Sequence, residues 1–220
     1  MNITKNMLPE SKYGLKSPYK MKPTRIVVHN TANDAPAKNE IAYMIRNDKQ
    51  VSFHYAIDDK EIVQGIPEDR NAWHSADGPN GKGNREGIAI EICYSKSGGT
   101  KFDNAEKLAA KFIAEKLKEY SFGIDKVTKH QDYSGKYCPH RTLDKGWQRF
   151  LDMISAELNN EQVEPSNDTI NELKLLLDTL NEELKVYKNT ITAKDSEISK
   201  LNKEIGDLKA KLDKVKDIVN

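Results

Sequence analysis

The sequence is poor in cysteine, in long apolar runs and in blocks of like charge. Its two cysteines, Cys93 and Cys138, are too few for a disulfide framework. No apolar run is long enough to cross a bilayer, and the opening residues, MNITKNMLPESKYG, lack the apolar core of a secretory signal. No cluster of Lys and Arg indicates a nucleic-acid surface. We therefore expect no membrane span and no nucleic-acid partner, and a chain kept in the cytoplasm unless another factor releases it.

Charge is divided unevenly along the 220 residues. The formal net charge is +1, but residues 161–220 carry 10 Lys and 13 Asp or Glu, which leaves +4 on residues 1–160. A mildly basic body suits an anionic polymer such as a cell wall, although many enzymes with neutral substrates carry a similar excess. Charged residues make up 31% of the chain, so one globular domain with a polar extension fits best.

Strand-like and helix-like patterns alternate through the first 158 residues. Strands are predicted at residues 25–33, 51–58, 61–66 and 87–93, where β-branched and apolar residues cluster between turn signals. Helices are predicted at residues 37–48, 102–120 and 144–158, where apolar residues recur at helical spacing. This alternation predicts an α/β domain, with a central mixed β-sheet flanked by helices, over residues 1–158.

A linker and a heptad repeat follow this domain. Apolar residues nearly vanish at residues 159–168, where Pro165 blocks helix continuation. In residues 169–220, with Ile170 at heptad position a, fourteen of fifteen a and d positions are apolar or aromatic. A single solvated helix would leave this seam unexplained, because one helix cannot bury so long an apolar stripe. The pattern therefore predicts a C-terminal α-helical coiled coil.

The partner in this coil is expected to be a second copy of the chain, with a dimer favoured, through residues 170–219. Ile at a and Leu at d in the second half favour two parallel strands, and Glu183 could pair with Lys188 of the other copy. Leu176 at position g, and Lys211 facing Lys216, weaken the assignment of strand number. The partner could also be another protein.

Three residues distant in sequence could hold one zinc ion. They are His29 at the end of a predicted strand, and His130 and Cys138 in the segment KHQDYSGKYCPHR. Two His and one Cys leave a fourth position open for water, as in catalytic rather than structural zinc sites. Taken alone, a His at a strand end such as His29 is more often a hydrogen-bonding residue than a ligand, and His140 could compete as a ligand.

Two further residues could carry hydrolytic chemistry. Glu91 lies on the face of its strand opposite the isoleucines of GIAIEIC, so it could take a proton from water and pass it to a leaving amine. An outward-facing surface Glu is the alternative. Lys136, two residues before Cys138, could stabilise an oxyanion, or it could be an ordinary lysine of a polar loop.

Five segments together resemble a known enzyme family across residues 10–158. In order, they are MKPTRIVVHNTANDAPA, VSFHYAIDD, IVQGIPEDRNAWH, GNREGIAIEICYS and KHQDYSGKYCPH. They resemble the zinc-dependent N-acetylmuramoyl-L-alanine amidases, the type 2 amidase family that shares its fold with peptidoglycan recognition proteins. The similarity is closest to phage and prophage endolysins of Bacillus and related Gram-positive hosts. It implies Zn²⁺ held by His29, His130 and Cys138, with Glu91 as general base and Lys136 near the scissile carbonyl.

The same resemblance suggests substrate contacts. Phe53 stands where some members of the family have a Tyr near the metal, and Tyr55 could partly replace that phenol. Trp73 and His74, in AWHSADG, could touch a sugar or a peptide carbonyl, although such a pair is equally compatible with packing. His54 is expected to be a buried, hydrogen-bonded residue.

The function implied is that of an endolysin. It would cleave the amide bond between N-acetylmuramic acid and the L-alanine of the stem peptide, with bacterial peptidoglycan as partner. It would stay in the host cytoplasm until lysis and then act on the wall. The alternatives are a zinc-free peptidoglycan-binding module, against which Cys138 argues, and a cytosolic wall-recycling amidase, which would need no coiled coil for a soluble substrate.

Overall fold

The computed structural model describes residues 1–159 and 167–219, and the chain divides into two compact units, Met1–Glu161 and Gln162–Asn220. The strands are β1 (Ile3–Lys5), β2 (Arg25–Asn30), β3 (Tyr55–Ile57), β4 (Ile62–Gln64), β5 (Gly87–Ile92) and β6 (Val127–Lys129). The helices are α1 (Tyr13–Lys16), α2 (Ala37–Arg46), α3 (Lys82–Glu86), α4 (Gly99–Tyr120), α5 (Gln131–Ser134), α6 (His140–Asp144), α7 (Trp147–Asn159) and α8 (Asn167–Val219).

The strands of the first unit form one six-stranded sheet in the order β1-β4-β3-β5-β2-β6. The pairings of β2 with β5, β2 with β6, β3 with β5 and β1 with β4 are parallel, whereas β3 and β4 pair antiparallel. Helices α2 and α4 contact this sheet. The predicted α/β fold, a mixed sheet flanked by helices, is therefore confirmed.

One predicted strand is shorter than expected for an identifiable reason. The strand predicted at residues 51–58 is regular only over β3, Tyr55–Ile57. His54 precedes it, and the Nδ1 atom of its buried ring accepts the backbone N–H of Ala89 at 2.9 Å. That N–H is thereby taken from the β-ladder by a side chain. As expected, His54 is a fully buried residue with hydrogen bonds to both ring nitrogens, because Nε2 donates to the carbonyl of Arg70 at 2.8 Å.

The apolar core lies between the sheet and α4. Ile26, Val28 and Ile90 of the two central strands have no exposed surface, as expected where both faces of parallel strands are covered. Phe112 of α4 packs edge-on against the ring of Tyr55 in β3, with 4.8 Å between ring centroids. Helix α7 packs against α4. The core thus supports one face of the strands.

A buried polar cluster ties α4 to the segment that follows β4. The carboxylate of Glu68 accepts hydrogen bonds from the hydroxyls of Tyr55 and Tyr120, each at 2.7 Å, and pairs with Lys116 at 2.9 Å. Burial raises the pKa of Glu68, but the hydrogen bonds from Lys116 and the two tyrosines outweigh it and hold the pKa below the usual value. The ionised carboxylate is therefore the form that stabilises the fold.

Replacing Glu68 by Gln should destabilise the protein by about 1–3 kcal/mol, because Lys116 loses a buried partner while keeping the half-exposed Glu119. The folded-state pKa lies below the unfolded value of about 4.3, so the contribution is present above that pH and is lost as the pH falls through the folded-state pKa. Urea unfolding at pH 7 and at lower pH measures both effects. Asp69→Asn, which removes an exposed pair with Lys20, is the matched control and should change stability by less than about 1 kcal/mol. Equal losses in the two variants would contradict the role assigned to Glu68.

The second unit contains the long helix α8, Asn167–Val219. Large apolar side chains of the heptad seam between Leu173 and Val215 are each at least 50% exposed in the single chain. The predicted linker falls largely on residues 160–166, which lie outside the described residues, and the domain boundaries stay predictions. The coiled coil also stays a prediction, although its helix is present. Among the described residues, no helix is both long and apolar enough to span a membrane.

Candidate metal centre and catalytic site

Three neighbouring parallel strands place their functional residues in one row. His29 of β2 lies opposite Glu91 of β5 in the ladder, and His130 directly follows β6, donating its N–H to the carbonyl of Val28 at 3.3 Å. Residues paired in this way point to the same face of a sheet. Because these positions lie near the carboxyl ends of the strands, they meet at the edge where α/β sheets usually bind ligands.

The loop that carries Cys138 is fastened to the end of β2 by Asn30. The Asn30 side-chain oxygen accepts the backbone N–H groups of Arg141 and Thr142, at 3.0 and 3.2 Å. The N–H of Gln131 donates to the carbonyl of Cys138 at 3.0 Å. These bonds hold the loop over His29. Asn30 was not predicted from the sequence, where its only signal is its place in the polar turn that ends the strand.

The three predicted ligands form a compact buried cluster. His29 Nδ1 lies 3.1 Å from His130 Nδ1 and 4.0 Å from Cys138 Sγ, and the ligand atoms all lie within 4.8 Å of one another. Ligand atoms in a tetrahedral zinc site are roughly 3.3–3.7 Å apart, since Zn–N and Zn–S distances are about 2.0–2.3 Å. The cluster can therefore bind a metal ion.

A metal that binds this cluster would displace one proton, from the thiol of Cys138, because the two imidazoles are already neutral. Burial is the main cause that holds the pKa of His29 well below its usual value, and burial followed by the charge of Lys136 lowers the pKa of His130 to about 4. Both rings are thus neutral at pH 7, the form that binds metals. Burial and the nearby Glu91 raise the pKa of Cys138 to about 11, so coordination must release the thiol proton.

Glu91 and Lys136 line the same cavity as the cluster. The cavity has a volume of 650 Å³ and also includes Trp73 and His74. One carboxylate oxygen of Glu91, Oε2, is buried without a hydrogen-bond partner among the described residues. Burial is the largest cause that raises the pKa of Glu91 to about 8, and the charge of Glu40 adds to it while Lys136 opposes it. A carboxyl group with a pKa near neutrality can both accept and return a proton.

Tyr55 does not reach this cavity, which corrects the expectation that it contacts substrate. In the β3–β5 ladder its neighbour Ala56 lies opposite Glu91, so Tyr55 points to the other face of the sheet. There it packs on Phe112 and donates to Glu68. Its hydroxyl is therefore committed to the core and cannot substitute for a phenol beside a metal.

Phe53 and His140 also lie outside the cluster. Phe53 lines a neighbouring cavity of 730 Å³ beside α2. The Nε2 atom of His140 lies 3.2 Å from the carbonyl oxygen of Ser95, and the ring is not part of the metal cluster. His140, which could have competed as a ligand, therefore does not belong to the cluster.

His74 is closer to the cluster than the sequence suggested. Its ring is 8% exposed, and its Nδ1 atom lies 2.9 Å from Nε2 of His29. Burial, followed by the charges of His54 and His130, holds the pKa of His74 well below its usual value. The ring is therefore neutral. It contacts Nε2 of His29 and also lines the cavity.

Comparison with known proteins gives a consistent result. The family model for N-acetylmuramoyl-L-alanine amidase matches residues 19–141. In Bacillus subtilis strain 168, the N-acetylmuramoyl-L-alanine amidase CwlA is 58% identical over 159 residues, which are 72% of this chain and 58% of CwlA. The N-acetylmuramoyl-L-alanine amidase XlyB of the same strain is 57% identical over 158 residues, which are 71% of this chain and 50% of XlyB. The chain therefore spans only 50–58% of the length of these two relatives.

Two solved structures are matched over nearly their whole length. The structure of PlyL is 54% identical with a TM-score of 0.68, and the match covers 70% of this chain and 97% of that chain. The solution structure of the PlyG catalytic domain is 50% identical with a TM-score of 0.69, and the match covers 74% of this chain and 98% of that domain.

Proposed function

Because the chain belongs to the N-acetylmuramoyl-L-alanine amidase family, we propose that it hydrolyses the amide bond between N-acetylmuramic acid and the L-alanine of the peptidoglycan stem peptide. The observation that carries the proposal is the single cavity lined by His29, Glu91, His130, Lys136 and Cys138. Its volume of 650 Å³ lies in the range of small-ligand sites, so it can take the reacting part of a longer polymer. We expect the rest of the polymer to lie outside it.

Zinc is the metal that best fits the donors. Two neutral imidazoles and one thiolate match the nitrogen and sulfur ligands that zinc prefers, and three protein ligands leave one position open. When bound in such a site, zinc supplies Lewis acidity and lowers the pKa of a coordinated water to about 7. His29, His130 and Cys138 would be its ligands.

Glu91 and Lys136 have complementary roles in this proposal. Glu91 accepts a proton from the attacking water as the C–O bond forms to the carbonyl carbon, and then delivers that proton to the nitrogen of L-alanine as the C–N bond breaks. Lys136 places positive charge where the carbonyl oxygen becomes negative, which stabilises the transition state. Trp73 offers an apolar wall against which a sugar or peptide group can pack.

The amide bond itself can be tested directly. Purified protein is incubated with bacterial walls, with and without a chelator, and the newly freed termini are identified. The proposal expects free amino groups on L-alanine, no new reducing sugars, and loss of the reaction with chelator. New reducing ends would indicate glycosidase activity instead. Binding of walls without any new terminus would indicate a recognition module.

The proposed partner of α8 is a second copy of the same chain. Its exposed seam would be buried by such pairing. In a parallel, in-register dimer, Glu183 and Glu204 would each face a lysine, Lys188 and Lys209, of the other copy. An antiparallel pair with matched ends would set Glu183 against Glu204, which is repulsive. Lys194, at a d position, would cost stability but would help to specify the register.

The first prediction from the proposed function concerns the thiolate ligand. Cys138→Ser should lose zinc and amidase activity together, because it removes one of three ligands. Metal analysis after dialysis, together with assays on walls, measures both. Cys93→Ala changes the other buried cysteine, which lies in the apolar core, and should keep stoichiometric zinc. Full activity with stoichiometric zinc in Cys138→Ser would remove Cys138 from the site.

The second prediction separates chemistry from binding. Glu91→Ala should keep zinc and wall binding but lose turnover by about 10²-fold or more, because it removes the proton carrier without touching a ligand. Glu86→Gln, at the last residue of α3 just before β5, is the matched control and should retain turnover. A decrease of less than about threefold in Glu91→Ala would show that Glu91 is not the general base.

The third prediction concerns assembly. The full chain should be dimeric by light scattering, whereas residues 1–159 should be monomeric and still cleave the bond. The double substitution Leu201→Asp and Leu208→Asp should dissociate the dimer, because charges would be buried in the seam. Leu175→Asp with Val186→Asp changes apolar residues outside the seam that are also at least 50% exposed, and should leave the dimer intact. A monomeric full chain at high concentration would contradict the coiled coil.

A further inference from the structure

We infer that His74 is a positioning residue for the metal ligand His29: it accepts a hydrogen bond from Nε2–H of His29 and so directs Nδ1 of that ring into the metal cluster. The inference rests on the proposed metal centre and assigns a role to a side chain that was expected only to touch substrate. His74 would act through His29 and would not itself bind the metal.

The geometry of His29 separates its two ring nitrogens. Nε2 lies 2.9 Å from Nδ1 of His74, whereas Nδ1 lies 3.1 Å from His130 Nδ1 and 4.0 Å from Cys138 Sγ. A neutral imidazole that binds a metal through one nitrogen carries its proton on the other. His29 must therefore hold its proton at Nε2, and His74 offers an acceptor at hydrogen-bonding distance from that atom.

The ring of His74 is oriented to serve as this acceptor. The two rings are nearly perpendicular, at 85°, with centroids 5.0 Å apart, so an edge nitrogen of one meets an edge nitrogen of the other. The hydroxyl of Ser75 also lies 2.9 Å from Nδ1 of His74. If Ser75 donates as well, Nδ1 of His74 receives two hydrogen bonds and the proton of His74 resides on Nε2, which is buried without a hydrogen-bond partner among the described residues.

The opposite assignment of protons would disable the ligand. If Nδ1 of His74 carried the proton, Nε2 of His29 would have to accept it. His29 would then hold its own proton on Nδ1, the atom that faces His130 and Cys138. The two arrangements predict different tautomers of His29 and can be distinguished experimentally.

The backbone around His74 is held in place independently of the metal. The N–H groups of His74 and Ser75 both donate to the side-chain oxygen of Asn84 in α3, each at 2.9 Å. The Asn84 side chain in turn donates to the carbonyl of Gly78 at 3.1 Å, and its backbone N–H donates to Asp77 at 3.2 Å. This loop therefore holds the ring against His29 through hydrogen bonds that involve none of the three cluster residues, which is the arrangement expected of a residue that orients a ligand.

The test compares zinc affinity in three full-length variants by competition with a zinc-binding dye. His74→Leu removes the acceptor and should weaken zinc binding by about 10–100-fold. His74→Asn places a side-chain oxygen near the position of Nδ1 and should recover affinity to within about tenfold of wild type. His140→Asn changes a nearby histidine outside the cluster and should leave zinc affinity unchanged. Circular dichroism establishes that each variant is folded.

A second measurement needs no variant. In metal-free wild-type protein, NMR correlations between ring protons and ring nitrogens should show His29 protonated on Nε2. Protonation on Nδ1 would overturn the inference. So would unchanged zinc affinity in folded His74→Leu with only a raised KM, which would make His74 a substrate contact. If the wild type binds no zinc at all, the proposed metal centre fails, whereas zinc binding with an indifferent His74 contradicts this inference alone.

Discussion

The backbone pairing of β2 with β5 and β6 is the constraint on which the rest of the site depends. Parallel hydrogen bonding sets His29 opposite Glu91 and brings His130 alongside. Because side chains alternate along a strand, a slip of one residue in either ladder would turn a ligand or the proposed base into the core. The apolar contacts of Ile26, Val28 and Ile90 hold the register, since the same slip would turn these side chains out of the core towards the face that carries the site. Packing on one face thus determines chemistry on the other.

Burial then determines the charges in the site. The imidazoles of His29 and His130 stay neutral because charging them in this environment is costly, and that same cost raises the pKa of Glu91 to about 8. Lys136, on an exposed loop, supplies positive charge without being buried itself. The site therefore combines neutral ligands, a carboxyl group that exchanges its proton near neutral pH, and one cation at its edge.

The parts of the fold that could be predicted are those encoded by local patterns. Alternation in GIAIEIC correctly placed Glu91 opposite the isoleucines, and the β-branched run before His29 correctly predicted β2. Tyr55 was assigned to the wrong face because that face depends on how β3 pairs with β5. The sequence of one strand does not specify the register in which it pairs with another.

Contacts between distant segments were also invisible in the sequence. The bond from Asn30 to the loop of Cys138, the approach of Glu40 to Glu91, and the contact of His74 with His29 all join segments far apart in the chain. Such contacts exist only after the strands have assembled. The resemblance to a family pointed to the three residues that form the cluster, but the residues that contact them required the three-dimensional structure.

The ligand cluster also has a consequence for stability. His29 and His130 are 101 residues apart, and neither cysteine forms a disulfide. An ion held by these side chains and Cys138 would cross-link β2 to the segment that follows β6 and so close a loop of that length. For a disulfide, a loop of about 100 residues corresponds to roughly 4–5 kcal/mol of lost chain entropy in the unfolded state. A metal stabilises in a related way by binding only the folded chain. The bound metal would then act as a cross-link between distant segments, as a disulfide does in other proteins. An environment that removes the metal would destabilise the fold as well as stop the reaction.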